Sequence, residues 1–177
     1  MRSVFRFLVV YCVALLAAPS FATQPWREAT KAELASVIPA RAPVEHERIE
    51  TESRTASGVT NGSKYIAGAV LITAGYSAEG KYSHFFVTQT AIEVAPGTSS
   101  AFTLAPGDYV FGYKREENAL KVSFYEAATG KAVGAADALR ENTVGAIRSF
   151  AIIPPNAKDG EGAIAIGRFS IGYRLKK

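Results

Sequence analysis

Short apolar and alternating segments recur along this sequence between turn residues, and that pattern leaves few folds open. Residues 65–73 form a continuous apolar run, which is typical of a strand covered on both faces. Residues 108–114 alternate, with Tyr109, Phe111 and Tyr113 on one face. The other strand-like segments are residues 85–94, 121–126, 147–153 and 163–175.

Turn residues separate these segments. Pro96–Gly97 and Pro106–Gly107 favour type II turns, because proline fixes φ and glycine accepts a positive φ. Six or seven short strands predict an all-β fold, an antiparallel β-sandwich of immunoglobulin-like or transthyretin-like type with a short N-terminal helix. A barrel is the alternative, disfavoured because the hairpins are irregularly spaced. The alanine-rich residues 127–140 leave both a strand and a helix open.

Residues 103–111 carry a local resemblance. They read Thr-Leu-Ala-Pro-Gly-Asp-Tyr-Val-Phe, which resembles a step in many immunoglobulin-like and transthyretin-like sandwich modules. In those modules the step turns one strand into the next and points an aromatic ring into the core. The resemblance implies that Tyr109 is buried, and it implies no activity, because such modules serve very different functions.

The N-terminus has the order of charges and apolar residues found in secretory signals. Arg2 and Arg6 precede an apolar run at 7–18, and Ser20 and Ala22 are small residues at the positions that a signal peptidase reads. The run is shorter than the roughly 20 residues that a membrane-spanning helix needs. We therefore expect cleavage after Ala22, a periplasmic or secreted mature protein beginning at Thr23, and no stable membrane anchor after cleavage.

A short helix and a charged segment precede the β region. Thr30 and Glu33 have the spacing of a capping box and Pro39 follows the apolar positions, so residues 30–38 are predicted to be helical. Residues 44–54 are predicted to form a solvated edge strand or a linker. The predicted organisation is a signal peptide at 1–22, an N-terminal arm at 23–55 and a β-sandwich domain at 56–177.

Four glutamates stand close together in the charged segment, at positions 45, 47, 50 and 52. They resemble a cation site at first, but Arg41, Arg48 and Arg54 are interleaved with them. The alternation of sign favours a solvated face that neutralises itself.

The composition of the mature chain excludes several functions. The only cysteine, Cys12, lies in the signal, so thiol catalysis and cysteine-ligated metals are excluded after cleavage. Without Arg2 and Arg6 the balance is 18 Lys and Arg against 16 Asp and Glu, which is a net charge of +2. No cluster of basic residues forms a stripe, so we expect no nucleic-acid partner.

The histidines and acids form no recognisable catalytic pattern. His46 and His84 are the only histidines, no Gly-x-Ser-x-Gly elbow is present, and no spacing of metal ligands occurs. Phosphate-binding glycine patterns are also absent, so no metal and no cofactor is expected. A pair of catalytic carboxylates has no short motif and stays open, with Glu93, Asp108 and Glu126 as the acids nearest to apolar strands.

Residues 75–84 are the best candidate for a binding loop. Tyr76, Lys81, Tyr82 and His84 combine flat rings with polar tips, which suits contact with a protein or glycan partner. The structural alternative is a long hairpin whose aromatics fold back over the sheet. The sequence thus favours an exported, non-enzymatic binding or accessory protein. A hydrolase with paired carboxylates and a structural subunit that pairs through its N-terminal arm are the alternatives.

Overall fold

The computed structural model describes residues 24–142 and 147–176, so the expected signal peptide lies outside the described residues. One helix, α1, spans Lys31–Val37 in this part of the chain. The strands are β1 (Arg27–Glu28), β2 (Arg41–Val44), β3 (Glu47–Thr60), β4 (Tyr65–Leu71), β5 (His84–Thr88), β6 (Ile92–Val94), β7 (Phe102–Leu104), β8 (Gly107–Arg115), β9 (Ala119–Glu126), β10 (Ala132–Arg140), β11 (Phe150–Ile153), β12 (Glu161–Ile166) and β13 (Phe169–Leu175).

The strands form one antiparallel sheet in the order β1-β3-β4-β5-β8-β9-β10-β13-β12-β11. The sheet curls until β11 returns to the side of β3, where the backbone amide of Ile152 donates to Oγ of Ser57 at 2.9 Å. The ladders of the described strands do not include a β11–β3 pair. The result is a barrel that is nearly closed, with a seam between β11 and β3.

The all-β prediction is confirmed, but the sandwich prediction is not, because the paired strands follow one another around a single sheet. Two segments explain the difference. Residues 163–175, whose alternating pattern predicts one strand, form the hairpin β12–β13 around Gly167, whose φ is 61°. The alanine-rich segment supplies β10, which joins β9 to β13. With these strands present, the sheet is continuous from β3 to β11.

Alternating side chains fill the barrel interior. Phe86, Phe111 and Phe124 are fully buried there, and their rings meet at centroid distances of 4.9–6.5 Å. Tyr109 is buried on the same face of β8 as Phe111, as the sequence predicts. The hairpin β6–β7 pairs through β6 with the second half of β13 and contributes the buried Ile92 to the interior.

The outer face of β4 and β5 is buried as well. Phe85 and Val87 on β5 and Ala67 on β4 face away from the barrel interior and are covered by a second apolar cluster. Leu34 of α1 and Tyr82 belong to that cluster. The continuous apolar character of residues 65–71 follows from this burial on both faces, whereas Ile72, just beyond the strand, is exposed.

The capping box predicted for α1 is present. Oγ1 of Thr30 accepts from the amide of Glu33 at 3.3 Å, and the amide of Thr30 donates to the Glu33 carboxylate at 2.8 Å.

The charged segment at 44–54 differs from the predicted solvated strand or linker, because its two apolar residues, Val44 and Ile49, are both buried. A turn at Glu45, whose φ is 51°, reverses the chain between β2 and β3. On one continuous strand Val44 and Ile49 would face opposite sides, but the turn between them places both on the covered side.

Truncation of Phe111 is expected to be severely destabilising. Phe111→Ala removes a fully buried ring from the barrel centre and should lower the free energy of unfolding by about 3–5 kcal/mol. Tyr113→Ala is the matched control, because Tyr113 lies two residues along the same strand and is 44% exposed. Urea denaturation of both variants measures the difference, and equal losses would contradict the placement of Phe111.

Candidate functional site

The connection between β4 and β5, residues 72–83, runs back over the outer face of the barrel, and we call it the strap. Its path is set by local turns, since the amide of Tyr76 donates to Thr73 and the amide of Tyr82 donates to Ala78. Ala78 and Tyr82 are both 3% exposed and belong to the outer apolar cluster. The strap is therefore packed against the sheet, as in the structural alternative that the sequence left open.

The carboxylate of Glu45, at the tip of the β2–β3 hairpin, binds the end of the strap. It accepts hydrogen bonds from Nζ of Lys81 at 2.8 Å and from the hydroxyl of Tyr82 at 2.5 Å. The hydrogen bond to Lys81 is the main reason that the pKa of Glu45 is lowered, and that of Lys81 is raised correspondingly. The two charges are thus mutually satisfied at neutral pH.

Two more glutamates of the hairpin hold the start of the strap. Glu47 accepts from the amide of Ser77 at 3.1 Å, and Glu50 accepts from the hydroxyl of Tyr76 at 2.6 Å. Arg41 lies 3.3 Å from Glu50 and also donates to the hydroxyl oxygen of Tyr76. The glutamates are therefore not a self-neutralising solvated face alone, because three of the four bind the strap.

Gly112 on β8 allows the strap to cross the sheet. A Cβ at this position would lie 2.0 Å from the backbone carbonyl oxygen of Lys81. Next to this crossing, the amide of Ser83 donates to the carbonyl of Phe111 at 2.9 Å. The strap thus touches the backbone of β8. This contact requires glycine at position 112, because any larger residue would collide with the strap.

His84 follows the strap and is the first residue of β5. Its ring stacks on that of Phe111 at a centroid distance of 4.6 Å and lies 4.9 Å from that of Phe150. Nδ1 is 2.9 Å from Oγ of Ser83, whereas Nε2 is buried without a hydrogen-bond partner among the described residues. Burial lowers the pKa of His84 to about 4, so the ring is neutral at pH 7.

A pocket of about 470 Å³ opens beside His84 at one rim of the barrel, where β4 ends and β5 begins. We call it the mouth pocket. Five of its side chains carry hydroxyl groups. Its lining residues are Val70, Leu71, Thr73, Gly80, Lys81, Tyr82, Ser83, His84, Gly112, Tyr113 and Ser149.

A second depression, the lysine groove, adjoins the mouth pocket on the outer face of β8 and β9. It has a volume of about 610 Å³ and shares Lys81 and Tyr113 with the mouth pocket. Lys114 and Lys121 lie directly opposite each other across the β8–β9 ladder. Asp137 is opposite Lys121 on its other side, and Glu79 also lines the groove, so acidic groups accompany the lysines.

The structure brings three of the four predicted site residues together. Lys81, Tyr82 and His84 line the mouth pocket, although Tyr82 and His84 are almost fully buried. Tyr76 lies apart from them, bonded to Glu50.

Sequence reasoning missed Tyr113 and Ser149 as pocket residues. The alternating pattern places Tyr113 on the same face as Phe111. The available signal for an exposed position was that Tyr113 is the last aromatic residue of this run. Ser149 directly precedes β11 and carries no sequence signal for a pocket.

Fold and pocket together define a small antiparallel β-protein whose sheet nearly closes into a barrel and whose rim carries a hydroxyl-lined pocket. Compared with known proteins, the chain matches no family model, no curated protein and no solved structure. Residues 24–142 and 147–176 contain no group of three or more potential ligands that could hold a metal ion. Within the same ranges, no helix is long and apolar enough to cross a membrane.

The crossing of the strap over β8 predicts a large effect of a small substitution. Gly112→Ala should displace the strap and lower the free energy of unfolding by about 1–3 kcal/mol, because the added methyl group meets backbone. Gly172→Ala is the control, since a Cβ there would approach no atom closer than 3.8 Å. Thermal melts compare the two, and a neutral Gly112→Ala would show that the strap does not rest on β8.

Acid is expected to destabilise the fold through His84. The unfolded chain takes up the imidazole proton near the ordinary pKa of 6.5, whereas the folded protein takes it up only near 4. The contribution of neutral His84 is therefore complete above pH 6.5 and falls by about 3 kcal/mol as the pH drops to 4.

Urea denaturation of the wild type and His84→Phe between pH 7.5 and 4 measures this contribution. The free energy of unfolding of the wild type should fall more steeply than that of His84→Phe. The exposed His46 provides the control, because His46→Gln should retain the wild-type slope. Parallel curves for wild type and His84→Phe would contradict the burial of a neutral imidazole.

Proposed function

We propose that this chain is an exported, non-enzymatic binding protein of the periplasm or extracellular space, and that it holds its ligand in the mouth pocket beside His84. Export is inferred from the N-terminal sequence. Binding is inferred from the chemistry of the pocket. The partner is a small ligand or a single unit of a larger protein or glycan.

The observation that carries the proposal is that Nε2 of His84, a residue of the pocket wall, is buried without a hydrogen-bond partner among the described residues. Nearly all buried polar atoms in proteins have a hydrogen-bond partner, and a missing partner costs about 1–3 kcal/mol. An apolar ring would fill the same space between Phe111 and Phe150 without this cost. A histidine at position 84 is therefore better explained by a bound group than by packing.

The dimensions and walls of the pocket fit a small ligand. Its volume of about 470 Å³ lies within the range of ligand sites, and barrel rims are common places for them. Tyr113 is 44% exposed, and its ring centroid is 6.1 Å from that of His84. Its side chain has no hydrogen bond to the described residues, so no such bond has to break for Tyr113 to turn aside and admit a ligand to the imidazole.

The same geometry argues against nucleophilic catalysis. Ser83 and His84 are hydrogen-bonded, which is one element of a hydrolase triad, but the described residues place no acid on the other ring nitrogen. A pKa of about 4 also makes His84 a weak base at neutral pH. Binding therefore accounts for the pair better than hydrolysis does.

The two alternative functions gain no support from their own residues. Glu93 lies 3.9 Å from Arg174, and Glu126 accepts a hydrogen bond from Thr129, so each has a structural partner. Burial raises the pKa of Asp108, but a single acid of this kind does not make the pair that the carboxylate mechanism needs. The N-terminal arm, on which pairing with a neighbour would depend, packs on the chain's own sheet through Leu34 and Val44.

Binding is tested by NMR on protein labelled at histidine and tyrosine. The probes are a panel of methyl glycosides and a panel of tripeptides, because glycan and protein partners are both considered. We expect at least one probe to shift the signals of His84 and Tyr113 and to leave those of His46 and Tyr76 unchanged. His84→Phe and Tyr113→Ala should weaken this binding at least tenfold.

Tyr76→Phe is the matched control, because it removes a strap hydroxyl outside the mouth pocket. It should bind the probe like the wild type. Panels that leave His84 and Tyr113 unperturbed, or that shift His46 equally, would refute binding at this pocket.

A further inference from the structure

We propose that the mouth pocket takes an uncharged sugar residue, one hydroxyl of which donates a hydrogen bond to Nε2 of His84. This inference rests on the proposed function, and it narrows the ligand from any small group to the neutral sugars of a glycan. Three features of the pocket carry it: the tautomer of His84, the pairing of its charges and the hydroxyl groups of its wall.

The tautomer of His84 follows from its neighbour Ser83. Oγ of Ser83 is 2.9 Å from Nδ1 of His84 and 3.2 Å from the carbonyl oxygen of Phe111. That carbonyl already accepts from the amide of Ser83 at 2.9 Å, and its second lone pair can accept the single hydroxyl proton of Ser83 when Nδ1 carries the ring proton and donates to Oγ. The opposite tautomer makes only one of these two bonds and leaves a buried N–H at Nε2 without an acceptor, which is rare in proteins. Nε2 is therefore an acceptor, and the ligand must supply the donor.

The charges of the pocket exclude an acidic ligand. Lys81 is the one cationic side chain among the described residues of its wall, and it is bonded to the carboxylate of Glu45 at 2.8 Å. His84 is neutral because burial lowers its pKa. A carboxylate or phosphate here would lose its hydration and face the lone pair of Nε2, without an unpaired cation among the described lining residues to compensate. Lys114 and Lys121, which form no ion pair with the described residues, lie in the adjoining groove.

The wall of the pocket favours a ligand with several hydroxyl groups. Thr73, Tyr113 and Ser149 offer hydroxyls to a ligand, whereas the hydroxyls of Tyr82 and Ser83 are already engaged within the protein. Tyr113 also presents an exposed ring, which suits the apolar face of a pyranose. A phenol, such as a tyrosine side chain of a protein partner, has one hydroxyl and would leave most of this wall unmatched.

The free protein gives the first test. In ¹⁵N NMR spectra of histidine-labelled protein, a protonated imidazole nitrogen is distinguished from an unprotonated one by its chemical shift. We expect His84 to carry its proton on Nδ1, and Ser83→Ala to reduce the population of this tautomer. Ser77→Ala is the control on the strap, because Ser77 does not line the mouth pocket. A proton on Nε2 in the wild type would overturn the inference, with or without any ligand.

The second test compares matched probes on the same signals. Methyl glycosides of neutral hexoses should shift His84, their uronic acid counterparts should bind at least tenfold more weakly, and permethylated glycosides, which lack donors, should not bind detectably. Uronic acids or permethylated sugars that bind as well as the neutral glycosides would overturn the inference and leave binding at this pocket in place. If phenol or the tripeptides shift the His84 signals and no glycoside does, the inference is likewise overturned while binding at this pocket remains. If no probe shifts His84, the proposed function fails together with the inference.

Discussion

The burial of β4 and β5 on both faces is the constraint on which the rest of this structure depends. Phe86 points into the barrel, and Phe85 next to it points outward, so each face of β5 needs an apolar cover. The barrel supplies one cover, and α1, the β2–β3 hairpin and the strap supply the other. Hydrophobic burial at about 25 cal/mol per Å² favours this arrangement over an exposed sheet face. The glutamates of the hairpin then fix the position of the strap with hydrogen bonds.

The position of the mouth pocket is a consequence of that cover. The strap crosses β8 at Gly112 and enters β5 at His84, so the chain is drawn across one rim of the barrel. A histidine at the junction is enclosed by Phe111 and Phe150 on the inside and by strap residues on the outside. The residues that stabilise the outer face and the residues that form the pocket are therefore neighbours in one segment of chain.

Local patterns in the sequence predict some of this structure well. The capping box of Thr30, the strand predicted at 65–73 and the inward orientation of Tyr109 each depend on residues close together in the chain, and all are present, with the strand ending at Leu71. Gly97 adopts the positive φ that its Pro-Gly turn favours, with φ at 77°, whereas Gly107 instead begins β8. Interactions between residues close together in the sequence determine such features, so they can be predicted without knowledge of the overall fold.

Features that depend on contacts distant in sequence could not be predicted. The bonds of Glu45 to Lys81 and Tyr82 join positions 36 and 37 residues apart, and nothing in the charge pattern of the hairpin indicates them. The closing of the sheet depends on Ile152 meeting Ser57, which are 95 residues apart. The burial of His84 likewise depends on Phe150, so its sequence context indicated a loop residue where the structure has a core position.

The seam between β11 and β3 gives the barrel one side that differs mechanically from the others. Elsewhere each strand is joined to its neighbours by a ladder of backbone hydrogen bonds, but here the bond from Ile152 to Ser57 and the adjacent side-chain packing join the two strands. Separating them requires the loss of few hydrogen bonds, so opening at the seam should cost less free energy than opening a long ladder such as that between β8 and β9. Amide protons of β11 are then expected to exchange with solvent earlier than those of β8, which is paired on both sides. The ring of Phe150, which lies against His84, would move with β11 in such an opening.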